Sequence, residues 1–172
     1  HGVLDEFSRR LESSDYTWFN FPEEYGRQNV AEAMEQVAAE YGAGILYSSA
    51  RQEYAITRMK RILNRTVATL QNQLLQGEFR PDGHELSFRY VQDMDAIDIS
   101  LSKEEKMRLQ GRIDRIDVAE DAEHVYVKVI DYKSGNQQFH LAALYYGLQL
   151  QLVVYMNAAM ELEARKHPDK EV

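Results

Sequence analysis

The residues best equipped for chemistry lie in two short runs, Gly111-Arg112-Ile113-Asp114-Arg115-Ile116-Asp117 and Val127-Lys128-Val129-Ile130-Asp131-Tyr132-Lys133-Ser134-Gly135. Each run is apolar and β-branched up to an ionisable residue, the pattern of a buried strand that delivers polar groups at its end. Side chains alternate faces along a strand, so Asp131 and Lys133 point the same way. The short connection between the runs predicts neighbouring strands, which brings Asp114 to the same place. Two carboxylates beside a lysine make a site for a hard divalent cation that activates a water. Asp-x-Lys alone is usually a solvated strand end. Its weight here comes from the valine- and isoleucine-rich run before it and from the second aspartate.

Other positions in these runs divide by face. Arg112 shares the face of Asp114 and either meets a phosphate or neutralises the carboxylates. Asp117, three residues beyond Asp114, falls on the opposite face, where pairing with a nearby arginine is expected rather than metal binding. Gly111 lets backbone or ligand approach closely.

Several elements must position this pair. Pro81-Asp82-Gly83 reads as a turn into a strand over His84–Tyr90, in which Glu85, Ser87 and Arg89 alternate with Leu86 and Phe88. A second strand is expected over Ala96–Ser102, with Ser102–Glu105 as a hairpin loop. A strand from Met107 then enters the Gly111 run. Val118–Glu123 reads as an acidic turn, with His124 opening the next strand. Beyond the turn at Ser134-Gly135-Asn136, one broadly apolar helix is expected over Leu141–Arg165. Gln151 and Tyr155 lie four apart on one of its faces. A buried glutamine must be hydrogen-bonded, as a helix–sheet tie or as a group lining the site. Lys166–Glu171 reads as a polar tail.

The first half of the chain is helical in pattern. Leu4, Phe7 and Leu11 form an amphipathic stripe with His1 on its N-terminal extension. A neutral imidazole there could ligate a metal; a frayed or tag-derived terminus is the plain alternative. Tyr16, Trp18, Phe19, Phe21 and Tyr25 are read as packing a loop onto the core rather than stacking on bases. Val30, Met34, Val37 and Tyr41 predict a helix that ends at Gly42-Ala43-Gly44. A long helix follows over Ser49–Leu75, with Tyr54, Met59, Ile62, Leu63, Leu70 and Leu74 expected on its buried side. Arg58, Arg61 and Arg65 share an exposed face. They either track a phosphate backbone or simply keep the helix soluble.

Bulk properties set limits. With 172 residues, the chain is long enough for one domain with a proper core. It contains no cysteine, which excludes disulfides, thiolate zinc sites and thiol catalysis and fits a reducing compartment. No apolar run approaches a membrane span, and no signal-peptide pattern is visible. The opening His1-Gly2, without an initiator methionine, suggests a piece of a longer protein. A net charge of −8 leaves a nucleic-acid partner dependent on local positive charge. Such charge exists: from Arg51 to Arg65 there are five basic residues against the single acid Glu53. The chain lacks a phosphate-binding Gly-x-x-x-x-Gly-Lys-Ser/Thr loop, a Gly-x-Ser-x-Gly elbow and a His-Glu-x-x-His motif.

Three segments together, Gly111–Asp117, Ile130-Asp-Tyr-Lys-Ser-Gly135 and Gly147-Leu-Gln-Leu-Gln-Leu-Val-Val-Tyr155, resemble the RecB-type nucleases of the PD-(D/E)XK superfamily. Within it they are most like the nuclease domains of AddB-type helicase–deoxyribonuclease proteins. Order and spacing match over nearly the whole chain, more loosely from Asp15 to Gln76. The resemblance implies an α/β, restriction-endonuclease-like fold: a central mixed sheet flanked by helices, with a helical insertion over residues 13–76 of a single nuclease domain. It also implies a divalent-metal-dependent DNA exonuclease working in double-strand break end processing and recombination. By the same resemblance, Asp114, Asp131, the Tyr132 carbonyl and His1 would hold Mg²⁺ or Mn²⁺, His1 through a His-x-x-Leu-x-x-Phe pattern. Lys133 would orient water or stabilise developing charge. Gln151 and Tyr155 match a Gln-x-x-x-Tyr motif that holds DNA and the lysine, while Gln149 belongs to the more AddB-like run. Arg112, Arg58, Arg61 and Arg65 join them as candidate DNA contacts. A strand glutamate of the family is matched by Glu85, whose role is less direct.

The implied partners are single-stranded DNA and a helicase–nuclease subunit, with no membrane, in the cytoplasm. Many such domains carry an iron–sulfur cluster, for which this chain supplies no cysteine ligand. The rival reading is a catalytically silent DNA-binding or scaffold module of the same fold. Such a module usually loses an acid or the lysine, and here both acids and the lysine stand.

Overall fold

Helical periodicity governs the first half of the chain and strand alternation much of the second. The computed structural model describes residues 1–40, 49–87, 98–100, 106–108, 111–133, 135, 140–146 and 150–172. They fall into two units, His1–Glu78 and Phe79–Val172.

In the first unit, α1 (Gly2–Glu12) buries Leu4, Phe7 and Leu11 along the stripe expected from their spacing. Of the aromatics that follow, Trp18 and Phe21 pack inward as expected, with ring centroids 5.3 and 5.8 Å from that of Phe7, while Tyr16 and Phe19 stay exposed. Fully burying side chains of this size contributes about 1.5–3 kcal/mol each. Helix α2 (Glu23–Glu40) turns Val30 and Ala33 inward, and the Asn29 amide donates to the Phe7 carbonyl at 3.2 Å, tying α2 to α1. Tyr41 and the expected stop at Gly42-Ala43-Gly44 lie outside the described residues.

Helix α3 (Ala50–Leu75) begins at Ser49, whose hydroxyl accepts the Gln52 N–H as an N-cap. Leu63, Val67, Leu70 and Leu74 form its buried stripe. Tyr54, Met59 and Ile62, expected on that side, are instead exposed at 70%, 51% and 54%. At about 100° per residue, Tyr54 lies on the opposite side from Leu63, and Ile62 about a quarter-turn away. Met59 shares the stripe but precedes its packed stretch.

In the second unit, β1 (Arg80–Ser87), β4 (Arg112–Glu120) and β5 (Val125–Ile130) form one sheet in the order β1-β4-β5. The expected mixed sheet is, among the described residues, antiparallel in both of its ladders. A separate antiparallel pair, β2 (Asp98–Ser100) and β3 (Lys106–Arg108), brackets the expected hairpin loop. Met107 thus belongs to a different sheet from the Gly111 run, rather than leading one strand into it. Residues 88–97, 101–105 and 109–110 lie outside the described residues, and with them Tyr90, Phe88 and Arg89.

Three boundaries differ from expectation. Pro81-Asp82-Gly83 is not a turn but the place where β1 bulges, its register shifting between Pro81 and Gly83. A proline is tolerated there because β1 is an edge of this sheet and a bulge frees it from the ladder. Strand β4 runs on through Val118 and Ala119, which are buried and pair with Val127 and Tyr126, so the acidic turn is only Asp121–Glu123. The last helix is two: α4 (Leu141–Tyr145), which ends at a Tyr146 cap, and α5 (Gln151–Lys166). Gly147, the residue type most costly to hold in a helix apart from proline, follows that cap in the sequence.

Helix α5 lays Ala158 and Ala159 on Ile116, Val118 and Val125, with Val127, Val129, Val154 and Leu162 around them. The expected polar tail is pinned rather than loose. The Val125 N–H donates to the Glu171 carbonyl at 2.7 Å, and Glu171 N–H donates to the Glu123 carbonyl at 3.0 Å. Lys170 Nζ also meets Glu120 at 2.9 Å. No helix of the described residues is long and apolar enough to cross a membrane.

Candidate active site

The central strand β4 sets the site. On one side, His84 pairs with Arg115 and Leu86 with Ile113, which leaves Glu85 directly across from Asp114. On the other, the last pair is Arg115 with Ile130, so one more step in register sets Asp131 across from Asp114. Residues opposite one another in antiparallel strands project to the same face. Glu85 and Asp114 therefore stand opposite one another on one face of the sheet, and Asp131 follows directly after the last paired residue of β5.

Side-chain contacts follow this register. Carboxylate oxygens of Glu85 and Asp114 lie within 4.8 Å of each other. Asp114 is buried, and its Oδ2 accepts the Tyr132 N–H at 2.6 Å. This bond carries the β4–β5 pairing one step past the last ladder residues. Lys133 Nζ reaches Asp131 Oδ2 at 2.6 Å, as two same-face residues should. The hydrogen bond and charge of Asp131, with the charge of Asp114 behind it, raise the Lys133 pKa above its ordinary value. The lysine is therefore an ammonium at any physiological pH.

Glu85, expected to have a less direct role and not counted among the candidate site residues, stands beside the aspartates by this register. Its backbone adopts a left-handed conformation, φ 49°, unusual for a side chain of this size. Such a conformation costs about 1–2 kcal/mol and persists where the surroundings over-determine it. The bulge upstream helps: a Cβ at Gly83 would overlap the Leu86 side chain. Alternation with Ser87 is the available signal in the sequence, but it cannot say which neighbour β1 pairs with. Arg112 Nε lies 2.9 Å from Glu85 Oε2, so in this structure the arginine neutralises a carboxylate. Two-thirds of its side chain remains exposed, within reach of solvent anions.

At the start of α5, the Gln151 amide donates to the Tyr155 hydroxyl at 3.0 Å, joining the residues four apart. Gln151 is exposed here rather than buried, because it occupies the first residue of its helix. Tyr155 lies close enough to Lys133 to act on its charge. On the other face of the sheet, Arg115 and Asp117 are fully buried as an ion pair at 2.5 Å, the pairing expected for Asp117. Burial pushes the Tyr132 phenol above its usual pKa, partly offset by the nearby Arg115 charge.

The remaining candidates belong to the first unit. His1 is exposed and precedes α1, its carbonyl accepting the Leu4 and Asp5 N–H groups at 2.8 and 3.2 Å. Arg58, Arg61 and Arg65 are all exposed, on the side of α3 away from the Leu63–Leu74 stripe. Gln149 lies outside the described residues. Glu85, Asp114 and Asp131 are hard oxygen donors, the donor type that suits Mg²⁺ or Mn²⁺. The Glu85 and Asp114 carboxylates converge within 4.8 Å, a grouping that Asp131, engaged by Lys133 at 2.6 Å, does not join.

A family model described as the PD-(D/E)XK nuclease superfamily matches residues 1–172. The chain is 44% identical over 176 residues to the B subunit of the ATP-dependent helicase/deoxyribonuclease of Lachnoclostridium phytofermentans, covering all of this chain and 14% of that protein. It is 40% identical over 166 residues to the protein of the same name from Clostridium novyi, covering 96% of this chain and 15% of the relative. For the Alkaliphilus metalliredigens protein, also of that name, the identity is 39% over 168 residues, with 97% of this chain and 15% of the relative covered. The chain thus spans about 15% of the length of the curated relatives it matches.

Proposed function

The chain belongs to the PD-(D/E)XK nuclease superfamily, and from that premise we propose that it hydrolyses DNA phosphodiester bonds with a divalent cation, as the nuclease domain of a helicase–deoxyribonuclease. The observation that carries this reading is the convergence of the Glu85 and Asp114 carboxylates within 4.8 Å, with Lys133 ion-paired to Asp131 and the Tyr132 N–H bonded to Asp114. The relatives' name, the B subunit of a helicase/deoxyribonuclease, supports a DNA substrate and a helicase partner. On this reading the larger assembly is an exonuclease that processes double-strand break ends for recombination in the cytoplasm, with single-stranded DNA delivered to the site.

Asp114, Asp131 and the Tyr132 carbonyl would hold Mg²⁺ or Mn²⁺. Glu85 is added to them from the register, and His1 from the family pattern. A bound cation of this kind lowers the pKa of a coordinated water and neutralises charge on the attacked phosphate. Lys133, kept protonated by Asp131, orients the attacking water or meets charge that develops on the phosphate oxygens. Gln151 and Tyr155 line the approach beside Lys133 and hold the strand. Arg112 exchanges Glu85 for a phosphate, and Arg58, Arg61 and Arg65 track the DNA backbone. An iron–sulfur cluster, where a longer protein carries one, takes its ligands from outside this chain, which has no cysteine.

The test is calorimetric titration of Mg²⁺ and Mn²⁺ into wild type, Asp131→Ala and Lys133→Ala, alongside cleavage of end-labelled single-stranded DNA. Asp131→Ala should lose both binding and cutting; Lys133→Ala should keep binding and lose rate. Full activity in Lys133→Ala contradicts its role. Binding without cutting by the wild type points to the silent DNA-binding or scaffold module, or to a domain that needs its partner. No metal binding at all sinks the site.

A further inference from the structure

Helix α3 packs along one side only, through Leu63, Val67, Leu70 and Leu74. At about 100° per residue, Tyr54, Arg58, Arg61 and Arg65 fall within about 60° of one another on the opposite side. They make a straight row about 16 Å long, with rises of about 6, 4.5 and 6 Å between successive members. All four are exposed. Tyr54, at 70%, is among the most open aromatic side chains of the described residues.

The charges of this row are not spent inside the chain. Exposed arginines on other helices each meet a carboxylate one turn away: Arg9 with Asp5, Arg27 with Glu23, and Arg165 with Glu161. Helix α3 carries one acid, Glu53, about 100° around the helix from Tyr54. Arg58, Arg61 and Arg65 have no ion-pair partner among the described residues. Three unspent guanidinium groups in line are a local exception in a chain of net charge −8.

A single exposed tyrosine is ordinary on a protein surface. The weight of Tyr54 comes from the row it heads, and from Ile62, which is 54% exposed and lies about 80° from it on the same side. Guanidinium groups call for an anion and a bare ring for a flat partner. Acidic side chains supply only the first. A duplex presents phosphates but keeps its base faces stacked on one another. A single strand offers both, repeating phosphates and open base faces, and surfaces that hold single strands combine basic and aromatic side chains for that reason.

We propose that α3 is a single-strand platform, on which Tyr54 stacks against a base while Arg58, Arg61 and Arg65 hold the neighbouring phosphates. The proposal rests on the nuclease reading for DNA as the ligand. It adds the group that makes this surface prefer a single strand to a duplex.

The test is fluorescence anisotropy of a labelled oligothymidylate with the whole chain in EDTA, where metal-dependent cutting cannot interfere, over a range of salt. Tyr54→Ala should weaken binding about 5- to 150-fold, the equivalent of the 1–3 kcal/mol typical of one stacked base. Its salt dependence should remain that of wild type, because no charge is removed. Tyr54→Phe should keep wild-type affinity. On an abasic oligonucleotide of the same length, and on duplex DNA, wild type and Tyr54→Ala should bind alike. Both variants should melt as wild type does, since the side chain is exposed. Equal affinity of wild type and Tyr54→Ala for the oligothymidylate overturns the proposal. So does a loss in Tyr54→Phe as large as in Tyr54→Ala, which assigns the contact to the hydroxyl. A wild type that binds no oligothymidylate overturns it too, and binding of polyglutamate instead gives the face to an acidic protein partner. Cutting with Mn²⁺ tests the nuclease reading separately. Wild-type cutting with a silent Tyr54→Ala leaves that reading without the platform, and a Tyr54→Ala effect in EDTA without any cutting leaves the platform without the chemistry.

Discussion

Replacing Asp114 with asparagine should stabilise the metal-free protein while abolishing its function. Glu85 and Asp114 present carboxylate oxygens within 4.8 Å of each other, and Asp114 is buried. At that separation and an effective dielectric constant near 20, two like charges repel by about 3.5 kcal/mol. Asparagine removes this repulsion and turns its amide N–H₂ toward Glu85, while its carbonyl oxygen still accepts the Tyr132 N–H. Two losses work against the gain. The Tyr132 bond changes from charge-assisted to neutral, at a cost of about 1 kcal/mol, and the attraction of Asp114 for the half-exposed Lys133 goes, worth about another 1 kcal/mol at most after screening. With Glu85 also partly neutralised by the exposed Arg112, which takes about another 0.5 kcal/mol from the repulsion, a net gain of about 1 kcal/mol remains, which for a domain of this size raises the melting temperature by about 2–4 °C. The assay is thermal unfolding followed by circular dichroism in EDTA, repeated with saturating Mn²⁺. In EDTA Asp114→Asn should melt above wild type. With metal at about 100 times its dissociation constant the wild type gains about 2.7 kcal/mol and the order reverses. An asparagine variant that melts below wild type in EDTA would refute the reasoning, because the carboxylates would then not be repelling one another.

Three further outcomes are expected. Replacing Arg58, Arg61 and Arg65 together by glutamine should weaken single-stranded DNA binding and flatten its salt dependence by up to about two units of log K against log salt, at about 0.7 for each phosphate no longer neutralised. An unchanged slope, measured by fluorescence anisotropy, would remove α3 from the DNA path. Asp121 accepts the Glu123 and His124 N–H groups, which hold its pKa down at about 2 rather than 3.8. Because the folded value is depressed, its contribution to the β4–β5 turn is full above about pH 4 and is lost as pH falls toward 2. Asp121→Ala should therefore flatten the melting-temperature profile between those limits, and an identical acid profile in the variant would count against it. Ile116 is fully buried between the sheet and α5, so Ile116→Val should cost about 0.5–1.5 kcal/mol in urea unfolding.

The part of this protein legible in its sequence is the part ruled by local period. A repeat of two residues puts Asp131 and Lys133 on one face and Asp117 on the other, and the ion pairs obey it. Capping by Ser49 and a repeat near 3.6 delimit the helix that ends at Leu75. The two acidic runs and the Gln151–Tyr155 spacing carry the family resemblance, which the match over the whole chain bears out. Whatever depends on a distant neighbour was decided only by the tertiary structure. Glu85 joins the acids because one extra residue at the Asp82 bulge sets the register of β1 against β4. Tyr54 and Ile62 look apolar in sequence but face solvent, since the stripe that packs begins at Leu63. The C-terminal residues are pinned because Glu171 finds Glu123 and Val125 across the hairpin end. Arg115 reads as one more charge in a strand until the fold buries it against Asp117. Periodicity says which way a side chain points; only packing says what it meets.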